Sequence, residues 1–554
     1  MYILSLLLAI LLPSVAASPY GQHPLITADP SPDLSAELFR SVHGFLKSWS
    51  QAFQPIGRTI VPAIIPAGTL LYHGRGDSHP PSSGLDWFAL DAEHAYMFAS
   101  RGFDSTFNTY VASQPLKVLY FDGFSASKGN PGSQDLQKLI AFGKEAMRGG
   151  DGHNDHRPPI FEDGRIAEGL CKWGASHGIQ GFVREEATFE VVWCDFSQGV
   201  KLLHSTNATR EDWNHHIPPR HPPEGGPPPP LGPKGSALRQ RKAIQEQNSG
   251  TALAPTSNVV RSWQMLNAAS WHYFSRDSRV HLSSGHLTTL IDAAYGSLWA
   301  NYKLPVQDRR LSSISKSDLD AFKSQLERNI RAWHASTAEA SKGDYLGIVD
   351  VIVDRTAGRL ARMHAAFSVS NTTEAVTKVK EEVLDILFPY VNVPHILWQG
   401  SNRPDARTRH IAIQQAARAC STAYTTYSVD ELKDTSGTLI AQSIEGVLTR
   451  ICGVASHILR ESMSMQVRKL SDGMQARYEA KMLEIWRLKV EALMSWLDWP
   501  VWRTCEKACA ADEICFMPMW PIGTEDGHRG PNGDPQKAHP IEVPRCVKRG
   551  KSLV

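Results

Sequence analysis

Apolar residues recur along this chain with two different periods. Between residue 59 and about residue 205, short runs such as Leu70 to His73, Lys117 to Phe121, Gly181 to Val183 and Phe189 to Cys194 are rich in β-branched and aromatic residues. Loops containing Gly and Pro separate them, the pattern of buried strands joined by turns. Two helices are expected among the strands. One runs from Asp91 to Ala99 and opens on Asp91 and Glu93, where acidic side chains suit the helix dipole. The other covers Ser133 to Met147. This mixture predicts an α+β domain over 59–216 with a mixed or antiparallel sheet.

Elsewhere the period is helical. In 18–58, Leu34, Leu38, Phe39, Val42, Phe45 and Leu46 recur at the spacing of one amphipathic helix. Beyond residue 256, five stripes predict an α-helical domain over 256–500. The first, Leu319, Phe322, Leu326, Ile330 and Trp333, follows a Ser317-x-x-Asp320 capping pattern. The others are Val349 to Met363, Val376 to Leu387, Ile440 to Ile451, and Tyr478, Met482, Ile485, Leu488, Ala492 and Trp496, the last stopped by Pro500. Such stripes are core positions of a helical bundle rather than a cofactor box.

The two periodic regions are joined by a Pro/Gly-rich stretch over 217–255, expected to be an extended linker. At the start, Ile3 to Leu12 is an unbroken apolar run followed by small residues, with Val15 and Ala17 at the offsets of a cleavage site. It predicts a signal peptide over 1–17 and a secreted, extracellular product. No later run is long enough for a membrane span. Eight Cys then read as disulfides. Cys171 with Cys194 and Cys420 with Cys452 are candidate pairs. Cys505, Cys509, Cys515 and Cys546 lack the paired Cys-x-x-Cys knuckles of structural zinc and predict a disulfide-stapled C-terminal cap over 501–554. Asn207 and Asn371 head glycosylation sequons.

Charge removes one class of function. The chain has 58 basic and 56 acidic residues among 554, a balance that argues against a dedicated nucleic-acid binder. No Gly-x-Ser-x-Gly elbow, His-Glu-x-x-His helix or phosphate loop occurs. Arg75-Gly76-Asp77 spells an adhesion tripeptide, Gly150 to His156 is a polar His/Asp loop, and Trp271 to Phe274 is expected to cap the bundle.

Three short motifs remain. They are His73-Gly74 closing an apolar strand; Trp87-Phe88-Ala89 followed by a helix containing Tyr96; and Glu190-Val-Val-Trp-Cys-Asp195-Phe-Ser-Gln198. In this order they resemble the ADP-ribosyltransferase fold in its poly(ADP-ribose) polymerase-like branch, with Trp87 where that family usually has Tyr. The resemblance implies NAD as substrate, Glu190 as the catalytic carboxylate, His73 on the adenosine ribose, Gly74 holding the nicotinamide amide, and Trp87 and Tyr96 beside the ring. It implies no metal. The expected activity is ADP-ribosyl transfer to a protein or small-molecule acceptor, or NAD hydrolysis. The alternatives are a non-catalytic secreted binding or cell-surface protein and a structural wall component. A second resemblance covers most of the chain. Leu119 to Lys128, with the terminal Trp-Pro500 and the Cys-rich stretch to Pro521, is similar to a family of secreted fungal proteins of unknown function.

Overall fold

The computed structural model describes residues 32–99, 104–128, 131–147, 159–208, 258–336, 343–392, 404–426, 435–465, 471–517 and 543–549. The expected signal peptide, the Pro/Gly linker and the Gly150 to His156 loop lie outside them.

The single expected N-terminal helix is two. Helix α1 (Ser35–Gly44) ends at a sharp break and α2 (Ser48–Ala52) follows. Leu46 turns the chain there with φ of 56°, in the left-handed region. The break lets Leu46 and Phe45 stay buried while Trp49 enters a separate cluster.

A 10-stranded sheet follows. Its strands are β1 (Thr59–Ile65), β2 (Leu70–Arg75), β3 (Asp86–Ala89), β4 (Thr106–Ala112), β5 (Leu116–Phe121), β6 (Gly181–Glu185), β7 (Phe189–Trp193), β8 (Val200–Asn207), β9 (His281–Leu282) and β10 (Thr288–Thr289). Their order is β10-β1-β5-β6-β7-β3-β2-β4-β8, with β9 also on β1. The pairs are antiparallel apart from β5 with β6. A parallel pair needs a long crossover, and this one carries α4 (Asp135–Phe142) and α5 (Pro159–Ala175). Helix α3 (Ala92–Ala99) packs on β2.

Alternation along the central strands feeds two cores. Ile60, Leu119, Phe121, Phe182 and Val192 point to a layer built from α4, α5 and α7 (Lys316–Ala335). Val61, Val118, Tyr120, Val183, Val191 and Trp193 point the other way, onto α1. That second core runs on into α8 (Tyr345–Ala366), α9 (Thr372–Leu387), α10 (Ala406–Thr422), α11 (Thr435–Met465) and α12 (Asp472–Leu497).

The helical region after 256 is therefore not a separately cored domain. Helix α6 (Asn258–Trp271) packs on α3, β9 and β10 complete the sheet, and α7 covers a sheet face. Trp271 to Phe274 packs on α2 instead of capping a bundle: the Tyr273 ring lies tilted against Trp49, centroids 4.7 Å apart, and the His272 carbonyl accepts from the Ser48 N–H. Helix α7 is capped by Ser315, whose hydroxyl accepts from the Asp318 N–H at 3.0 Å, two residues before the expected cap. The last stripe is also offset. In α12 the buried apolar residues are Met482, Trp486, Val490, Leu493 and Leu497, while Leu488 is exposed.

All eight cysteines are paired. Cys171–Cys194 ties α5 to the end of β7, and Cys420–Cys452 ties α10 to α11. In the cap, Cys505–Cys515 and Cys509–Cys546 staple the two-stranded sheet of β11 (Glu513–Phe516) and β12 (Arg545–Lys548). No helix among the described residues is long and apolar enough to cross a membrane.

Candidate functional site

The site lies where the sheet splits. Strand β2 stays paired with β4 through Arg75, but meets β3 at Tyr72↔Ala89. Beyond that point β2 and β3 diverge around a cleft of about 190 Å³. Its lining includes His73, Gly74, Trp87, His94, Lys128 and Glu190. Three stretches far apart in sequence thus meet at one opening, and four of the expected residues are among them. Tyr96 is not. The turn of α3 gives His94, Ala95 and Phe98 to the cleft and sets Tyr96 against Phe107 of β4, ring centroids 5.8 Å apart.

Each residue is held for a local reason. Gly74 has no room for a side chain, because a Cβ there would stand 1.9 Å from the Ala95 carbonyl oxygen. The strand can approach α3 this closely only as glycine. His73 is buried, edge-on to Phe196 at 5.6 Å. Its Nδ1 is 2.6 Å from the Trp87 carbonyl oxygen. A carbonyl can only accept, so Nδ1 carries a proton. The Nε2 atom is buried without a hydrogen bond, with the Asp86 carboxylate 3.7 Å away. The Trp87 indole N–H is likewise buried without a partner. Both residues line the cleft, and polar atoms without a hydrogen-bond partner there are what a ligand would satisfy.

Glu190 sits deeper than a strand-mouth residue. It pairs across the β6–β7 hairpin with Arg184, and both point into the layer of α4 and α5. Arg184 Nε donates to Glu190 Oε1 at 3.0 Å and its Nη2 donates to the same oxygen. The guanidinium also donates to Asp163 Oδ1 of α5 at 2.8 Å and to Gln137 Oε1 of α4 at 3.0 Å. Burial works against the charge of Asp163, but Arg184 overcomes it and holds that carboxyl below its usual range. Both Arg184 bonds to Glu190 fall on Oε1, so Oε2 carries no described hydrogen bond. Lys128 reaches in from the other side, its Nζ 3.4 Å from Asp163 Oδ2.

Sequence reasoning missed Arg184, Asp163, Lys128 and His94. One sign was available: Arg184 and Glu185 interrupt a strand otherwise read as buried, and a buried charge implies a buried partner. The far end of the third motif has a structural role. Asp195 accepts from the Gly84 and Ser197 N–H groups at 3.1 and 2.9 Å, and so closes the loop that leads into β3.

Fold and site together define a disulfide-stapled protein whose mixed sheet opens, between β2 and β3, into a small polar-ended cleft. By sequence, the chain belongs to the family of the YPL277C N-terminal domain, whose model matches residues 31–106 and 103–316. It is a fungal family of unknown function. The matched span includes every cleft residue named above, as well as β9 and β10. The chain is 29% identical over 315 residues to the Saccharomyces cerevisiae uncharacterized protein YPL277C, covering 48% of this chain and 62% of that protein. It is 25% identical over 555 residues to the uncharacterized protein YOR389W of the same yeast, covering 89% of this chain and 84% of that protein. No solved structure matches.

Proposed function

We propose that the cleft binds the nicotinamide end of NAD and that the protein cleaves the bond between nicotinamide and ribose, passing ADP-ribose to an acceptor or to water. One observation carries this reading: His73, Trp87 and Glu190, picked out by motif order, line a single cleft. An engineered cavity of about 150 Å³ accommodates benzene. A cleft of about 190 Å³ therefore has room for one heteroaromatic ring with its substituent.

The roles follow from the donors and acceptors. His73, whose Nε2 has no hydrogen-bond partner, bonds a hydroxyl of the adenosine ribose. The Gly74 backbone holds the nicotinamide amide. The indole of Trp87 gives the ring a face to stack on. As the glycosidic bond breaks, nicotinamide leaves with the electron pair and positive charge grows on the ribose C1′. Glu190 Oε2 accepts from a hydroxyl of that ribose and stabilises the charge. A lone pair of the acceptor then forms the new bond at C1′. Arg184 fixes the carboxylate from behind through Oε1, so that it is oriented before substrate arrives.

Four disulfides among the described residues support maturation in an oxidising, secretory compartment. The reading is tested by nicotinamide release from NAD by the purified full chain, wild type against Glu190→Gln. A loss on the order of 10²-fold is expected for the variant. Equal rates in the two proteins would remove the claim.

A further inference from the structure

At and behind the cleft wall stand two groups that the NAD reading does not use. His94 of α3 and Glu186, on the turn between β6 and β7, are both buried, and neither belongs to the three motifs. His94 Nε2 lies 3.4 Å from Glu186 Oε2. One ligand atom each from His94, Glu186 and Glu190 falls within 4.8 Å of the others. The only other such trio among the described residues is made of cysteines committed to disulfides.

We propose that His94, Glu186 and Glu190 bind a divalent cation of the Zn²⁺ type. The spacing supports this. With metal–ligand distances of about 2.0–2.2 Å, two ligands at a tetrahedral angle stand roughly 3.3–3.5 Å apart, and the His94–Glu186 pair is already at 3.4 Å. Glu190 contributes Oε2, the oxygen that Arg184 leaves free. A hydrogen-bond partner behind the imidazole is also in place. His94 Nδ1 is 2.8 Å from Thr188 Oγ1. In the ligating tautomer Nδ1–H donates there and Nε2 is bare, as metal-bound histidines require. Charge does not oppose the ion. Glu186, Glu190 and Asp163 bring three carboxylates against the guanidinium of Arg184 and the ammonium of Lys128. Three protein ligands, two of them (His94 and Glu190) lining the cleft, leave a fourth position open, the arrangement of catalytic rather than structural zinc. The site shares Glu190 with the proposed NAD chemistry but takes its other two ligands from outside it, and it is measured without NAD.

The test is a titration of the full chain, stripped with a chelator, using Zn²⁺ by calorimetry and Co²⁺ by its visible absorption. One saturable equivalent is expected. Glu186→Gln and His94→Gln should each weaken it by at least about tenfold. Thr188→Val, which touches no ion but removes the partner of Nδ1, should cost roughly 10–100-fold. Substitution of the exposed His281 should change nothing. No saturable equivalent in the wild type, or equal affinity in Glu186→Gln, overturns the site. Should His94→Gln fail to fold, the nearly isosteric Glu186→Gln decides alone. Nicotinamide release assayed with and without chelator separates this result from the NAD reading.

Discussion

Arg184 and Glu190 face each other across the β6–β7 hairpin, Nε to Oε1 at 3.0 Å, with the guanidinium fully buried. A buried guanidinium is tolerable only when its donors are all taken. Here Glu190, Asp163 and Gln137 take them. The carboxylate assigned to chemistry is thus also a part of the core, and the cleft cannot be loosened without disturbing α4 and α5.

Arg184→Met should therefore be costly. It leaves Asp163 and Glu190 buried and uncompensated, a situation worth about 3–5 kcal/mol. Denaturant unfolding should show that loss, with Lys128 offsetting part of it through Asp163. A change under 1 kcal/mol would mean that water reaches the cluster.

Gly74→Ala should fail for a steric reason. Its Cβ would meet the backbone of α3, 1.9 Å from the Ala95 oxygen and 2.6 Å from the Ala99 nitrogen. Neither atom is the end of a flexible side chain. Strand and helix must part, and since α3 carries His94 and Phe98, the cleft should widen. Lower thermal stability together with weaker nicotinamide binding is expected. Unchanged stability would contradict the close packing of β2 on α3.

Much of this was legible in the chain itself. Strands β2, β5, β6 and β7 have the β-branched and aromatic character that pleated burial demands, and α8, α9 and α11 keep their apolar stripes at helical spacing. The motif order also brought His73, Gly74, Trp87 and Glu190 to one cleft. What periodicity could not reveal is what lies opposite a face. The stripe of α7 looks like any bundle stripe, but it meets Leu119, Phe182 and Val192 of the sheet. The two-residue strands β9 and β10 are too short to leave a pattern. Arg184 with Asp163 is a contact between a strand and a helix 21 residues apart, and spacing does not announce it. Tyr96 was misplaced by a fraction of a helical turn.

The pH dependence of stability should carry a mark of Asp122. Burial pushes this carboxyl up to about 6, although it accepts hydrogen bonds from Arg58 N, Thr59 N and Ser41 Oγ. In the unfolded chain it titrates near ~3.9. Between those values the native state keeps a proton that the unfolded state has released. Stability is then greatest below pH ~4 and falls as pH rises through about 6, by on the order of 3 kcal/mol from this group. Glu185, buried without a hydrogen-bond partner and pushed well up by burial, adds to the same trend. Asp122→Asn should flatten the profile between pH 4 and 6 relative to wild type. An identical slope in both proteins would rule out Asp122 as its source.

The Cys171–Cys194 bridge clamps α5, and with it Asp163, to the end of β7 next to Trp193. It spans 23 residues, for which loop entropy predicts roughly 3 kcal/mol. The double variant Cys171→Ala/Cys194→Ala should lose about that much in denaturant unfolding. The Cys509–Cys546 bridge, out in the cap, should matter far less to the cleft.

The proposed chemistry stands or falls on one assay: nicotinamide released from NAD by the purified full chain, compared with Glu190→Gln of equal thermal stability. The account predicts turnover by the wild type and a loss on the order of 10²-fold in the variant. Release at the uncatalysed rate by the wild type, or at the same rate by both proteins, would contradict it.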